Sequence, residues 1–447
     1  MACLYRLLIG MQVSLATSFE GMNLLEDAQL QCEELEVSFF QVLRERNLSW
    51  FGKLLDLKPG DDTLPLLSLQ RKPYRDLMLS NTISVFDYRV YLLALQCLCL
   101  GKAGRVADAA RKAANFLSGF GRRLRESPDP LPEYFIEAWT YASCLSVIQQ
   151  CDTWAEGVPL DATAAASFNS AKGELYDLAR MQVERIGILH GHLPDTPPFA
   201  TSIDRTTPPV AVDLKISCEP VLHALASREE FYRLYMAATN RTIASYDKGG
   251  RRKFGLRLHG CAAALDLLRG RNSNAHQTYA SLPSHYSHNN WTSLEALVLR
   301  KALDTHDEEK PRGRSWVDAA LGFLRTLVTL HPQNVECEYV EKVIAGLRDA
   351  CADAESDVIT TNHPAVVLSL KTTDARQADE EDGSFIDVTV KNGLPCDLPG
   401  DHVVVTFLGA EGRKFEYATA AAVVFSPGEN QLTLFCAVSL LLDKFWC

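Results

Sequence analysis

Three histidines, His276, His285 and His288, fall within thirteen residues, beside Asn289 and Asn290. Imidazole nitrogens at that density could ligate a metal ion and activate water. Such a site needs two or three of them on one face with a carboxylate, as in an HExxH helix. No glutamate stands between them, so polar loop histidines are the favoured reading over a metal-dependent hydrolase. The run Gly249-Gly250-Arg251-Arg252-Lys253 could hold a phosphate at a helix N-terminus. It lacks the GxxxxGK[ST] arrangement and no strand leads into it, so it reads as a basic interhelical turn, with docking on an acidic partner or a membrane surface left open. Arg122, Arg123 and Arg125 read in the same way, as a solvated helix end. No GxSxG, Walker or GxGxxG pattern occurs. No catalytic, cofactor-binding or metal-binding residue is assigned, no cofactor is expected, and the chain reads as a non-enzyme.

The thirteen cysteines are scattered singly with no CxxC pair, against zinc-ribbon and thioredoxin-type chemistry and in keeping with reduced thiols in a cytosolic protein. Cys97 and Cys99 are two apart on an expected helix and should face different ways. Sequons at Asn47, Asn240 and Asn290 are short patterns that arise by chance. The 447 residues are 47% hydrophobic and 23% charged, enough for a large core in two or three domains. The net charge of −11 argues against nucleic acid as the main ligand. The apolar stretch 4–15 resembles a signal sequence, but Arg6 and Gln12 interrupt it and it is shorter than the ~20 residues of a membrane span. It is read as a helix.

The elements that must position these groups change character along the chain. Leu24, Ala28, Leu35, Phe39 and Val42 mark one face of an amphipathic helix, and a polar loop follows at 57–75. Residues 85–100 are almost wholly apolar, the mark of a helix buried on most sides. Gly101 and Gly104 make a turn, and Val106, Ala109, Ala113, Phe116 and Phe120 form the next stripe, giving a helical hairpin of tetratricopeptide-like type. Pro128, Pro130 and Pro132 end it, and helices are expected over 133–150 and 168–190. Pro194, Pro197, Pro198, Pro208 and Pro209 mark a linker or exposed loop. Further stripes run through Phe254, Leu258, Cys261, Leu265 and Leu268; Trp291, Leu294, Val298 and Ala302; Trp316, Ala320, Phe323 and Leu327; and Val335, Tyr339, Val343 and Leu347. From Ala365 onward the period changes to two: Ile386, Val388 and Val390, then Val403, Val405 and Phe407, alternate with polar residues. About five strands fit. The expected architecture is mostly α, then β: a degenerate tetratricopeptide-like solenoid at 1–192 and 227–355, separated by a Pro-rich linker at 193–226, then an incomplete immunoglobulin-like β-sandwich at 363–447.

Four patterns carry a family resemblance. They are Glu26-Asp27-Ala28 with Gln31-Cys32-Glu33-Glu34-Leu35; Asp87-Tyr88-Arg89-Val90-Tyr91-Leu92 with Gln96-Cys97; Trp139 with Ser143-Cys144-Leu145 and Val147-Ile148-Gln149; and Pro427-Gly428-Glu429-Asn430-Gln431-Leu432-Thr433. In this order they resemble the large TRAPP II subunit, the transport protein particle complex subunit 10 family. Family members tend to have an aromatic where Cys32 stands and are much longer at both ends, so the chain is expected to be a fragment or an incomplete gene model.

The resemblance implies a non-catalytic scaffold subunit of the TRAPP II vesicle-tethering and Rab guanine-nucleotide exchange complex, in intra-Golgi and endosome-to-Golgi transport. Exchange there belongs to small core subunits and acts on a late-Golgi Rab GTPase. The implied partners are other TRAPP II subunits, including those core subunits, and the Rab through the complex; the implied location is cytoplasmic, peripheral at trans-Golgi membranes. An unrelated tetratricopeptide-like adaptor is the alternative, and the β segment discriminates against it, because a repeat adaptor does not need one.

Overall fold

A computed structural model describes residues 2–44, 51–126, 131–199, 215–306, 312–330, 337–352, 363–371, 375–378, 383–408 and 414–437. Asn47, Pro128, Pro130, Pro208, Pro209, Val335 and the tail 440–447 lie outside them, as does the side chain of Val42. The chain divides into two compact units, Met1–Ala262 and Ala263–Cys447.

In the first unit, α1 (Ala2–Gly21) and α2 (Leu25–Arg44) pair through a turn in which Asn23 takes a left-handed conformation. Ala28, Leu35 and Phe39 of α2 are buried as their spacing requires, whereas Leu24, ahead of the helix, is exposed. After α3 (Tyr74–Leu79), helix α4 (Val85–Lys102) is capped by Ser84, whose Oγ accepts from the Asp87 amide at 3.0 Å. Nearly all of α4 is buried, because α2, α5 (Val106–Arg125) and α6 (Phe135–Glu156) each cover part of its circumference. Gly101 belongs to the last turn of α4, and Gly104 alone makes the left-handed turn into α5. Val106, Ala109, Ala113 and Phe120 of the expected α5 stripe are buried; Phe116 is half-buried. Phe86, Phe120 and Trp139 join the three helices with ring centroids 5.5 to 6.0 Å apart, each pair worth roughly 0.5–1.5 kcal/mol beyond area burial.

Helix α7 (Ala162–Leu189) packs on α5, α6 and α9 (Arg228–Lys248). Two glycines make the α7–α9 approach possible: a methyl group at Gly173 would overlap the Tyr246 ring, and one at Gly187 the Phe231 ring. The Pro-rich stretch holds a short helix at its end, α8 (Glu219–Ala226), with proline in its first turn. In α10 (Arg252–Leu268) Leu258, Cys261 and Leu265 are buried, while Phe254 and Leu268 at the ends of the stripe are exposed.

The second unit contains α11 (Asn272–Ser281), α12 (Pro283–Ser287), α13 (Thr292–Asp304), α14 (Arg314–Leu330) and α15 (Cys337–Ala352). Val298 and Ala302 of α13, all four residues of the α14 stripe, and Val343 of α15 are buried; Leu294 is exposed. A core of Trp316, Phe323, Leu324, Val340 and Ile344 continues into Ala365, Leu394 and Cys396 of the β segment.

Eight strands occur among the described residues, against the five or so expected. β2, β4 and β7 have two or three residues each, too short to show an alternating pattern. β1 (Val366–Leu370), β3 (Ser384–Asn392), β8 (Gly428–Cys436), β6 (Lys414–Ala418) and β5 (Val404–Leu408) form an antiparallel sheet in that order, with β2 (Arg376–Gln377) also on β3. β4 (Leu398–Gly400) and β7 (Val423–Phe425) pair separately. The alternation in β3 buries Ile386, Val388 and Val390 as expected, and Ile386 and Val388 pack with Phe415, Tyr417 and Leu434. Buried Asn392 ends β3 and is satisfied on both sides of its amide. Its Nδ2 donates to the Cys396 and Phe425 carbonyls at 2.9 Å, and its Oδ1 accepts from the Leu394 amide at 2.9 Å. The α-then-β order is what the sequence implied.

Candidate functional site

The three histidines do not converge. His276 on α11 lines a polar cavity of about 520 Å³ with Asn272, Asp304, Thr305 and His306. Its Nδ1 lies 3.0 Å from the Ala302 carbonyl, and its ring stands 5.5 Å from that of His306. His285 lies within α12, and His288, its C-cap, turns Nδ1 back to the Ser284 carbonyl at 2.6 Å. Among the described residues no three His, Cys, Asp or Glu side chains are grouped so as to hold a metal ion.

The basic stretch 249–253 is the turn between α9 and α10. A side chain at Gly249 would collide with the Ser170 backbone, and Gly250 takes the left-handed conformation. Arg251 is committed to protein: its Nη1 lies 2.9 Å from Glu174 and its guanidinium 5.7 Å from the Phe254 ring. Arg125 departs from the expectation of a solvated helix end. Its Nη2 donates to Gln182 at 2.9 Å and to Glu137 at 3.2 Å. Glu137 is buried on α6 and also faces Arg185 at 3.0 Å. The reason is that α6 and α7 both pass the carboxyl end of α5, which the α5 sequence does not disclose.

Two buried ionic clusters were not visible as motifs. In the first, Lys72 donates to Asp61 and to Asp87, both at 2.9 Å. Next to it, Asp62 accepts from the Ser217 and Cys218 amides at 2.7 and 3.0 Å. The loop read as merely polar thus ties the α4 cap and the approach to α8 together. In the second, Arg180 of α7 donates to Asp177 at 2.8 Å, to Glu184 and to the Tyr235 hydroxyl, which itself donates to Glu184 at 2.7 Å. Arg257 of α10 closes on the other oxygen of Asp177 at 3.0 Å. Burial disfavours the charge on Arg180, and Tyr235, Glu184 and Asp177 outweigh that penalty. Burial also pushes the Tyr235 phenol well above its ordinary range. Apart from Arg257, the side chains of both clusters are largely buried. They fix how α7, α9 and α10 sit on one another, and how the 51–73 loop is held. The only sequence signals were adjacent aspartates after Pro59-Gly60, and Asp177, Arg180 and Glu184 at helical spacing.

Among the described residues no helix is long and apolar enough to cross a membrane. The family model described as TRAPPC10/Trs130, NTS-like domain matches residues 205–308, which take in α8 to α13. The trafficking protein particle complex II-specific subunit 130 homolog of Oryza sativa subsp. japonica is 27% identical over 181 residues, 40% of this chain and 14% of that protein. Trafficking protein particle complex subunit 10 of Dictyostelium discoideum is 32% identical over 141 residues, 31% of this chain and 10% of that protein. The Homo sapiens protein of the same name is 24% identical over 265 residues, 54% of this chain and 20% of that protein. The chain therefore spans a fifth or less of the length of these relatives. Across about half of its own length, this chain is similar to proteins of the TRAPPC10/Trs130 family, and residues 205–308 match the model of that family's NTS-like domain.

Proposed function

We propose that the chain acts as a non-catalytic scaffold subunit of a TRAPP II-type complex, with other TRAPP subunits, including small core subunits, as its protein partners. The match of residues 205–308 to the TRAPPC10/Trs130 NTS-like domain carries this reading. The relatives named as TRAPP II-specific subunit 130 homologs and TRAPP subunit 10 support it. So does the architecture: stacked helices offer long side surfaces to partners, and the polar groups of the two clusters are used up holding helices together. In this role the chain serves intra-Golgi and endosome-to-Golgi vesicle transport, peripheral at trans-Golgi membranes, and reaches a late-Golgi Rab GTPase through the complex.

The finer architecture belongs to the same proposal. Helix pairs such as α4–α5 and α6–α7 are degenerate tetratricopeptide-like hairpins of a solenoid, and the two antiparallel sheets form an immunoglobulin-like sandwich. Affinity purification of the tagged chain from its own cells, with mass spectrometry of what accompanies it, tests the role. Recovery of small TRAPP core subunits is the expected result. A soluble, folded chain that brings down coat or sorting components and no TRAPP subunit would overturn it in favour of an adaptor.

A further inference from the structure

Helices α2, α4 and α5 enclose a groove of about 250 Å³. Buried Phe39, Leu92 and Leu93 make its floor, and half-buried Phe40 and Phe116 its walls. Its charged groups are Glu36, Arg89 and Lys112, a net of +1 on a chain whose overall charge is −11. Glu36 is already engaged: Gln96 donates to it at 2.8 Å, and Lys112 lies 3.7 Å away. Arg89 is not. Among the described residues its guanidinium has no hydrogen bond and no ion pair. It lies 5.4 Å from the Phe40 ring centre, 5.5 Å from that of Phe116 and 4.5 Å from that of Phe120. Aromatic faces attract a cation but accept few of the five N–H groups a guanidinium offers.

A second cation reinforces the imbalance. The Arg123 guanidinium stands 5.9 Å from the Phe40 ring centre. Burial first, and then the Arg123 charge, push Arg89 down to about 10 against the opposing pull of Glu36, so it stays a cation at neutral pH with no carboxylate at ion-pair distance among the described residues. Arg89 and Gln96 lie seven residues apart on α4, roughly 10 Å along the axis, the reach of about three residues of extended chain.

We propose that this groove docks a short acidic peptide segment of a protein partner. A carboxylate of the segment pairs with Arg89, and a neighbouring apolar side chain seats against Phe40, Leu93 and Phe116. The recessed floor favours a peptide over an anionic bilayer, which is flat on this scale. The inference rests on the groove alone and stands apart from the TRAPP assignment.

Fluorescence polarisation of the full chain with a fluorescein-labelled Glu-Asp-Leu-Phe-Asp-Glu peptide tests it. Saturable binding is expected, weakened at least about tenfold by the neutral Gln-Asn-Leu-Phe-Asn-Gln peptide, a change that leaves the protein untouched. Arg89→Gln and Lys112→Glu should weaken it, and Arg233→Gln on the exposed face of α9 should not. Equal binding of the neutral peptide overturns the proposal, as does normal binding by a folded Arg89→Gln chain. No peptide binding, with binding to phosphatidylserine-containing vesicles lost in Arg122→Gln/Arg123→Gln, also overturns it and assigns this end of α5 to a membrane surface.

Discussion

Arg180 and Arg89 are both cations set into helix packing, and they are equipped in opposite ways. Arg180 is buried among Asp177, Glu184 and Tyr235, each at hydrogen-bond distance. Arg89 is half-buried among three phenylalanine rings, with no carboxylate at hydrogen-bond distance among the described residues. A buried charge that has its acceptors is spent on the fold: it specifies which helix faces meet and cannot leave without cost. A charge framed by rings at the mouth of a groove keeps its hydrogen-bonding capacity for something that arrives. The contrast separates architecture from interaction surface where no motif does.

The sharpest way to break the contrast is Arg180→Met. It leaves Glu184 and one side of Asp177 buried without a cation, and unfolding of the full chain in urea should show a loss of about 3–5 kcal/mol. A change below about 1 kcal/mol would mean that Arg257 and solvent suffice. Next comes Gly187→Ala, which forces a methyl group into the Phe231 ring across the α7–α9 seam. A loss of roughly 1–3 kcal/mol in the same assay is expected. Arg89→Gln should be milder than either, within about 1 kcal/mol of the parent, because only ring contacts are lost.

The smallest effect concerns pH. Burial first, then the charges of His190 and Arg228, hold His192 below its ordinary 6.5. The unfolded chain therefore takes up this proton first as pH falls. The contribution is fully present above about 6.5 and is lost as pH drops from there toward the lower folded value. His192→Gln should flatten the stability profile below 6.5 relative to the parent; an unchanged slope would show that His192 contributes nothing.

Much of the architecture was legible from residue types alone. The long apolar run of α4 and the alternation in β3 specify burial on most sides and on one face, and both are found. The stripes failed at or near their ends: Leu24, Phe254, Leu268 and Leu294 are apolar and in phase but exposed, because periodicity gives the direction of a side chain and not whether a neighbour reaches that far. β1 makes the same point, with Val366, Val367, Leu368 and Leu370 all exposed on an edge strand. The Lys72–Asp61–Asp87 cluster and the pairing of Arg125 with Glu137 and Gln182 join groups 11 to 57 residues apart, across loops and between helices, and no local motif announces them. Arg89 was visible as a polar exception in the apolar run 85–100 and inside a family pattern; its want of an acceptor among the described residues became apparent once Phe40, Phe116 and Phe120 were placed around it.

The most direct test of the functional account is to mix the purified full chain with purified small TRAPP core subunits and follow the mixture by size-exclusion chromatography with light scattering. Co-elution at the mass of a defined complex is the predicted result. A folded chain that elutes apart from every core subunit, at concentrations well above those at which TRAPP subunits assemble with one another, would contradict it.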